Sequence, residues 1–244
     1  MLLTGVIVFI VLFIGSFIQG ASGFGFGLFA MSFLPFLFSV KDSTLLVMAL
    51  ALVTCITIFL KVYKHIDFKK LGYLLTGAIV GRIGAYFVLH HYGEMDAMKK
   101  ILGFVLIGMV VYILLQKNPQ ERKQAENPVF PIVIGGLGGF IGGVFVVGGP
   151  FFVFYLLMVC KDKYAYSANI QAVFVLSALV TLLLHGFSGD LHLELLVYFF
   201  IGFLSVIAGS RLGMMWFKRL SQENIKKLAS IIVALAGLNL IIFA

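Results

Sequence analysis

The pattern of apolar and polar positions along the chain is one of long uncharged runs separated by short charged stretches, at a length that suits membrane crossings of about 20 residues. Three such runs fill the first half, Thr44 to Leu60, Leu71 to Leu89 and Met98 to Leu115, and three fill the second, Tyr166 to Leu184, Leu193 to Phe217 and Leu228 to Ala244. Each triplet follows a longer uncharged segment that glycines interrupt. Met1 to Val40 breaks at Gly20-Ala-Ser-Gly23-Phe-Gly25-Phe-Gly27, and Asn127 to Cys160 breaks at Gly142-Gly143 and Gly148-Gly149-Pro150. Each segment is too long for one crossing and too short for two comfortable ones with a loop.

The halves overlay. Asp67 and Gly77 stand ten residues apart, as do His192 and Gly202, and seven residues separate Gly77 from Gly84 and Gly202 from Gly209. The chain therefore reads as a duplication: a first transmembrane repeat over 1–116, a cytoplasmic linker over 117–128 and a second repeat over 129–244. If each broken segment returns to the side it started from, every half crosses an odd number of times and the halves are inverted. Lys61, Lys64, Lys69, Lys70, Lys117, Arg122, Lys123, Lys161, Lys163, Lys218, Arg219, Lys226 and Lys227 then share one face, leaving Lys41, Lys99 and Lys100 on the other. The positive-inside rule prefers this arrangement and places both termini outside the cytoplasm. It leaves open whether each broken segment is a re-entrant hairpin or two short crossings.

Composition agrees with a polytopic membrane protein, all-α, in contact with lipid over most of its surface. The chain is 61% hydrophobic and 11% charged, too apolar for one water-soluble core of 244 residues. The net charge of +8 sits at the ends of apolar runs, which speaks for orientation in the membrane and against nucleic acid. Cys55 and Cys160 are isolated, so neither a disulfide framework nor a metal site is expected, and no cofactor is called for. Met1 to Ile18 lacks a basic leader and reads as a retained membrane segment.

Interrupted apolar segments at matching places in two halves mark a transporter's binding site. A helix broken inside the bilayer leaves unpaired N–H and C=O groups, tolerable only against protein, water or a ligand, and the free N–H groups at a half-helix start suit an anion. Candidate substrate contacts are thus Gly23, Gly25, Gly27, Gly148 and Gly149, with Gln19 and Ser22 as nearby donors. Arg82 and Arg211 are the formal charges placed inside apolar runs, where a charge by default suggests function; each could instead reach the interface. Asn169 and Gln171, early in the run after the second break, complete the candidate shell or else bond nearby backbone. The four-residue spacing of Gly135, Gly139 and Gly143 reads as helix packing. All ten acidic residues fall in loops or at run ends, so no buried carboxylate is expected; His185 and Glu194 are the candidate proton relays. No nucleophile and base pair, P-loop or zinc motif appears, and no enzyme activity is predicted.

With Gly20-Ala-Ser-Gly-Phe-Gly-Phe-Gly27 running on to Pro35, Gly142-Gly-Val-Phe-Val-Val-Gly-Gly-Pro150, and Asp67-Phe-Lys-Lys-Leu leading to Gly77 through Gly84, the chain resembles the sulfite exporter TauE/SafE family, also described as toluenesulfonate uptake permeases. It departs from the family pattern at Val146-Val147, where more glycine is usual, and at His192, where the aspartate of the first half would recur. The resemblance implies movement of small sulfur-containing anions such as sulfite, sulfoacetate, organosulfonates or thiosulfate. The expectation is a carrier of small oxyanions working by alternating access in the cell membrane, with a passive anion channel or a non-transporting assembly factor as alternatives. A homodimer is left open.

Overall fold

Ten α-helices account for nearly all of the computed structural model, which describes residues 2–115, 127–160, 162–216 and 222–243. In the first half they are α1 (Leu2–Ser22), α2 (Phe26–Met31), α3 (Val40–Val62), α4 (Phe68–Tyr92) and α5 (Asp96–Leu115). The second half repeats the order with α6 (Val129–Phe145), α7 (Gly149–Val159), α8 (Lys163–Phe187), α9 (Leu193–Trp216) and α10 (Gln222–Phe243). Six of them, α1, α3, α4, α5, α8 and α9, are long and apolar enough to cross a membrane. Residues 117–126 of the expected linker lie outside the described residues, as do Lys161, Lys218 and Arg219 of the charge argument.

Local chemistry sets the element ends. Ser39 caps α3 by accepting from the Asp42 N–H at 3.0 Å, and Asp162 caps α8 by accepting from the N–H groups of Tyr164 and Ala165, each at 2.9 Å. α1 ends where Gly23 turns to φ +87° and Gly25 to φ +113°, conformations that glycine adopts without a Cβ penalty. α6 ends on a left-handed residue too, but there it is Val146 at φ 59°.

Packing between the halves is reciprocal. α4 of the first half packs along α6 of the second, and α9 of the second packs along α1 of the first. Both pairs run parallel: Gly77 faces Ile132 and Gly84 faces Phe140, while Gly5 faces Ile201 and Gly20 faces Gly213. These seams close on small residues because lipid provides no hydrophobic drive between apolar helices, so close backbone approach supplies the attraction. A Cβ on Gly135 or Gly139 would overlap the carbonyl of Leu74 or Ala78, which makes the four-residue glycine spacing a packing seam.

Two further interfaces pair a helix with its own counterpart, α3 with α8 and α5 with α10, while α3 also packs on α9 and α4 on α8. Both counterpart pairs are antiparallel. Lys41 at the start of α3 meets Asp190 just beyond α8, while His65 just beyond α3 stacks on Tyr164 at the start of α8. In the other pair, Gly103 of α5 lies against Ile241 of α10. It follows that residues 2 and 243 lie on one face of the molecule, together with the turns at 93–95 and 188–192.

α2 folds back along the end of α1, with Phe26 against Gly15, and α7 likewise returns beside α6, with Phe152 against Gly138. Each broken segment therefore returns toward the face from which it entered. The two differ in length, since α1 has 21 residues, enough to cross unaided, and α6 has 17.

Candidate functional site

The two breaks meet. A Cβ on Gly27, in the first turn of α2, would overlap the carbonyl oxygen of Val146 at the second break, so the two turns touch backbone to backbone. Thr44 of α3 ties α6 in from the side by donating to the Val144 carbonyl at 2.8 Å.

Between the breaks lies a cavity with about 40 Å³ open to the centres of water-sized solutes. At roughly 10–15 Å³ per water, it holds about three waters or one small oxyanion. Gly25 and Gly27 line it from the first break and Gly142, Val146, Gly148 and Gly149 from the second. Its polar side chains are Gln19 and Arg82, while Phe24, Phe152 and Phe174 supply apolar walls.

Arg82 is 4% exposed. One nitrogen of its guanidinium, Nη1, donates to the Gly142 carbonyl at 2.9 Å and to the Thr181 hydroxyl at 3.1 Å, with the Met48 sulfur at 3.6 Å. Its Nε is buried with no hydrogen-bond partner, and among the described residues no carboxylate pairs with it. A buried cation balanced only by a carbonyl and a hydroxyl carries an uncompensated desolvation penalty of several kcal/mol.

The other polar residues hold the breaks in shape. Gln171, fully buried on α8, donates to the Gly23 carbonyl at 2.9 Å, and its side-chain oxygen accepts from Gln19 Nε2 at 3.3 Å. Gln19 also reaches the Cys55 sulfur at 3.0 Å. Ser22 spends its hydroxyl on the carbonyls of Ile18 and Phe24, at 2.8 and 2.6 Å, which satisfies acceptors freed at the end of α1.

Of the residues singled out in the sequence, Gln19, Gly25, Gly27, Arg82, Gly148 and Gly149 lie on the cavity wall. Ser22, Gly23 and Gln171 stand behind it. Asn169 is buried away from it, accepting from the Asp67 N–H at 3.0 Å and donating to the Ala165 carbonyl at 2.7 Å. Arg211 is exposed on α9 and takes no part in the wall. Sequence reasoning missed Met48, Cys55, Phe152, Phe174 and Thr181, which carry no signal beyond apolar or small side chains at helical spacing.

A second polar cluster stands one to two turns from Arg82, at the face that holds residues 2 and 243. Asp190 is 5% exposed, although it lies in a loop; the absence of a buried carboxylate expected from sequence fails here. Its Oδ2 accepts from His185 Nδ1 at 2.6 Å and from His90 Nδ1 at 2.8 Å, and its Oδ1 faces Lys41 Nζ at 3.4 Å. Burial opposes ionisation of Asp190, but the histidine bonds and the Lys41 charge outweigh it and hold its pKa below the usual carboxylate value. Lys41 also bonds Glu94 at 2.7 Å, which lowers that carboxyl in the same direction. Of the two predicted relay residues, His185 joins this cluster and Glu194 is exposed apart from it.

The sequence model of the sulfite exporter TauE/SafE family matches residues 7–240. The chain is also 21% identical to a probable membrane transporter protein of Methanocaldococcus jannaschii, over 96% of this chain and 94% of that one. No solved structure matches.

Proposed function

Because the chain belongs to the sulfite exporter TauE/SafE family of membrane transporters, we propose that it carries small sulfur-containing oxyanions, of the sulfite, sulfoacetate and thiosulfate class, through the cavity between its two broken segments. The observation that carries this reading is the buried Arg82, with one unpartnered nitrogen and no carboxylate among the described residues, on the wall of a cavity of oxyanion size. The relative from Methanocaldococcus jannaschii is named a probable membrane transporter, which agrees in class with this reading.

The reciprocal packing and the antiparallel pairs α3–α8 and α5–α10 support inverted repeats, with the cytoplasm on the side of Lys61, Lys64 and Lys163. On that side a vestibule of about 330 Å³ opens between Ile58, Lys61, Val62, Tyr164 and Met215. The corresponding region on the other face is filled by the Asp190 cluster. A vestibule on one face opposite a packed cluster at the corresponding place on the other favours a rocking carrier over a channel.

The test is thermal stabilisation of purified protein by sulfite, sulfate, thiosulfate and ethanesulfonate. An anion at a hundred times its Kd stabilises the folded state by about 2.7 kcal/mol. Arg82→Ala should abolish the effect and Arg82→Lys should weaken it. A folded Arg82→Ala protein that sulfite stabilises as well as the parent would remove the anion site. In proteoliposomes, flux that saturates and counter-exchanges marks a carrier, and flux linear in concentration marks a channel.

A further inference from the structure

Exchange of the halves exposes an asymmetry between the two faces. α3 starts at residue 40 and α8 at 163, an offset of 123, and α4 starts at 68 and α9 at 193, an offset of 125. By these offsets Ile58, Val62, Tyr164 and Met215 of the open vestibule correspond to Thr181, His185, Lys41 and His90. The residues that leave a vestibule of about 330 Å³ on one face are thus replaced, on the other, by a packed ionic cluster.

We propose that this cluster is a proton-binding gate, with His185 as the group that takes the proton, so that substrate access from the face of residues 93–95 and 188–192 is coupled to proton entry. The inference rests on the alternating-access reading above and names how one face of that site is controlled.

The geometry supplies the mechanism. With Asp190 ionised, its Oδ2 accepts a proton-bearing Nδ1 from His185, which leaves His185 Nε2 as a bare lone pair. That nitrogen is buried in a residue of 0% exposure and has no partner. The neutral imidazole tolerates this. A proton added from water to Nε2 breaks no bond and keeps the Nδ1–H···Asp190 bond. It creates a buried N–H with no acceptor and a second buried cation beside Lys41, and both penalties vanish once the cluster parts and water enters.

The groups that face His185 set the response. Asp190 comes from its own turn, Tyr86 and His90 from α4 and Lys41 from α3; Glu94, in the turn after α4, binds Lys41 from outside, and His192 lies near Glu94. Asp190 has a depressed pKa, so its share of stability is present above about pH 4 and lost only below it. The step from pH 8 to pH 5.5 therefore leaves Asp190 ionised. The gate also connects to the cavity. Arg82, Tyr86 and His90 follow one another by single turns on α4, as Thr181 and His185 do on α8, and Arg82 binds Thr181 at 3.1 Å.

Native Cys55, on the cavity wall, is a reporter that needs no anion. In a Cys160→Ser background in proteoliposomes of defined orientation, a membrane-impermeant thiol reagent is added at the 93–95 face. Its rate with Cys55, divided by the thiolate fraction at each pH, should rise about threefold or more from pH 8 to pH 5.5. His185→Gln should make the rate follow the thiolate fraction. Asp190→Asn, which removes the anchor of the cluster, should label fast at both pH values. A corrected rate that stays flat or falls from pH 8 to pH 5.5 in the parent protein, or an equal rise in His185→Gln, would overturn the gate. Loss of sulfite stabilisation with intact pH-dependent labelling would instead sink the anion reading alone.

Discussion

The two breaks share one architecture and solve its backbone problem differently. At the first, Gly23 and Gly25 take the left-handed conformations, and Gln171 reaches across from the other half to bond the Gly23 carbonyl. At the second, the left-handed residue is Val146, a β-branched side chain in a region that costs such residues about 1–3 kcal/mol. The carbonyl next to that turn, Gly142, accepts from both the Val146 N–H at 3.0 Å and Arg82 at 2.9 Å. One break is relaxed by composition and the other is held under strain by its neighbours. The lesson is that two breaks of one shape need not share their chemistry: the cavity's buried cation, from the first half, is anchored by Gly142 and Thr181 of the second.

The largest expected effect tests whether the breaks must touch. Gly27→Ala drives a methyl into the Val146 carbonyl, and Gly148→Ala drives one into the Gly138 carbonyl. Each should destabilise by about 3 kcal/mol or more or prevent folding, read as loss of monodisperse protein. Gly149→Ala is the control at the same break, because its Cβ would sit 3.4 Å from the Phe174 ring, an ordinary contact. It should fold, and if it fails as Gly148→Ala does, backbone contact is not what distinguishes these positions.

Next comes the bridge between halves. Gln171→Leu removes the side-chain donor to the Gly23 carbonyl and leaves the Gln19 amide with the Cys55 sulfur alone, and should lower thermal stability by about 1–3 kcal/mol. An unchanged melting temperature would show that the first break keeps its shape without help. Smaller and opposite in sign is Val146→Gly, which relieves the strained φ and should stabilise by about 1 kcal/mol despite the loss of a side chain. Destabilisation would mean that the valine's packing outweighs its strain. The smallest effect is expected away from both breaks: Gly108→Ala on α5 meets nothing within 4 Å and should add about 0.5–1 kcal/mol of helix stability.

Much of the site was legible because glycine and buried arginine are rare choices in an apolar span, each with few physical reasons to be there. Gly25, Gly27, Gly148, Gly149 and Arg82 announced themselves that way. Gln19 did so by proximity to a break. Arg211 has the same chemistry and depth by hydropathy as Arg82, yet it is exposed on α9, because helical phase relative to neighbours decides which way a side chain faces. Asn169 was drawn in by spacing and turned out to bond the Asp67 N–H at the end of a helix. Asp190 was misjudged because position in a loop says nothing about burial when Lys41, His90 and His185 converge on it from three elements.

The sequence alone determined a polytopic, all-helical membrane protein with two glycine-rich interruptions, since apolar run length and glycine placement are one-dimensional quantities that the bilayer reads directly. Tertiary structure decided which interrupted ends meet, which of two arginines is buried, and that an ionic cluster packs on one face where a vestibule lies on the other. Those outcomes depend on contacts between residues 60 to 150 positions apart, such as Arg82 with Gly142 and Lys41 with Asp190, and no local pattern encodes the direction in which a side chain points across such a distance.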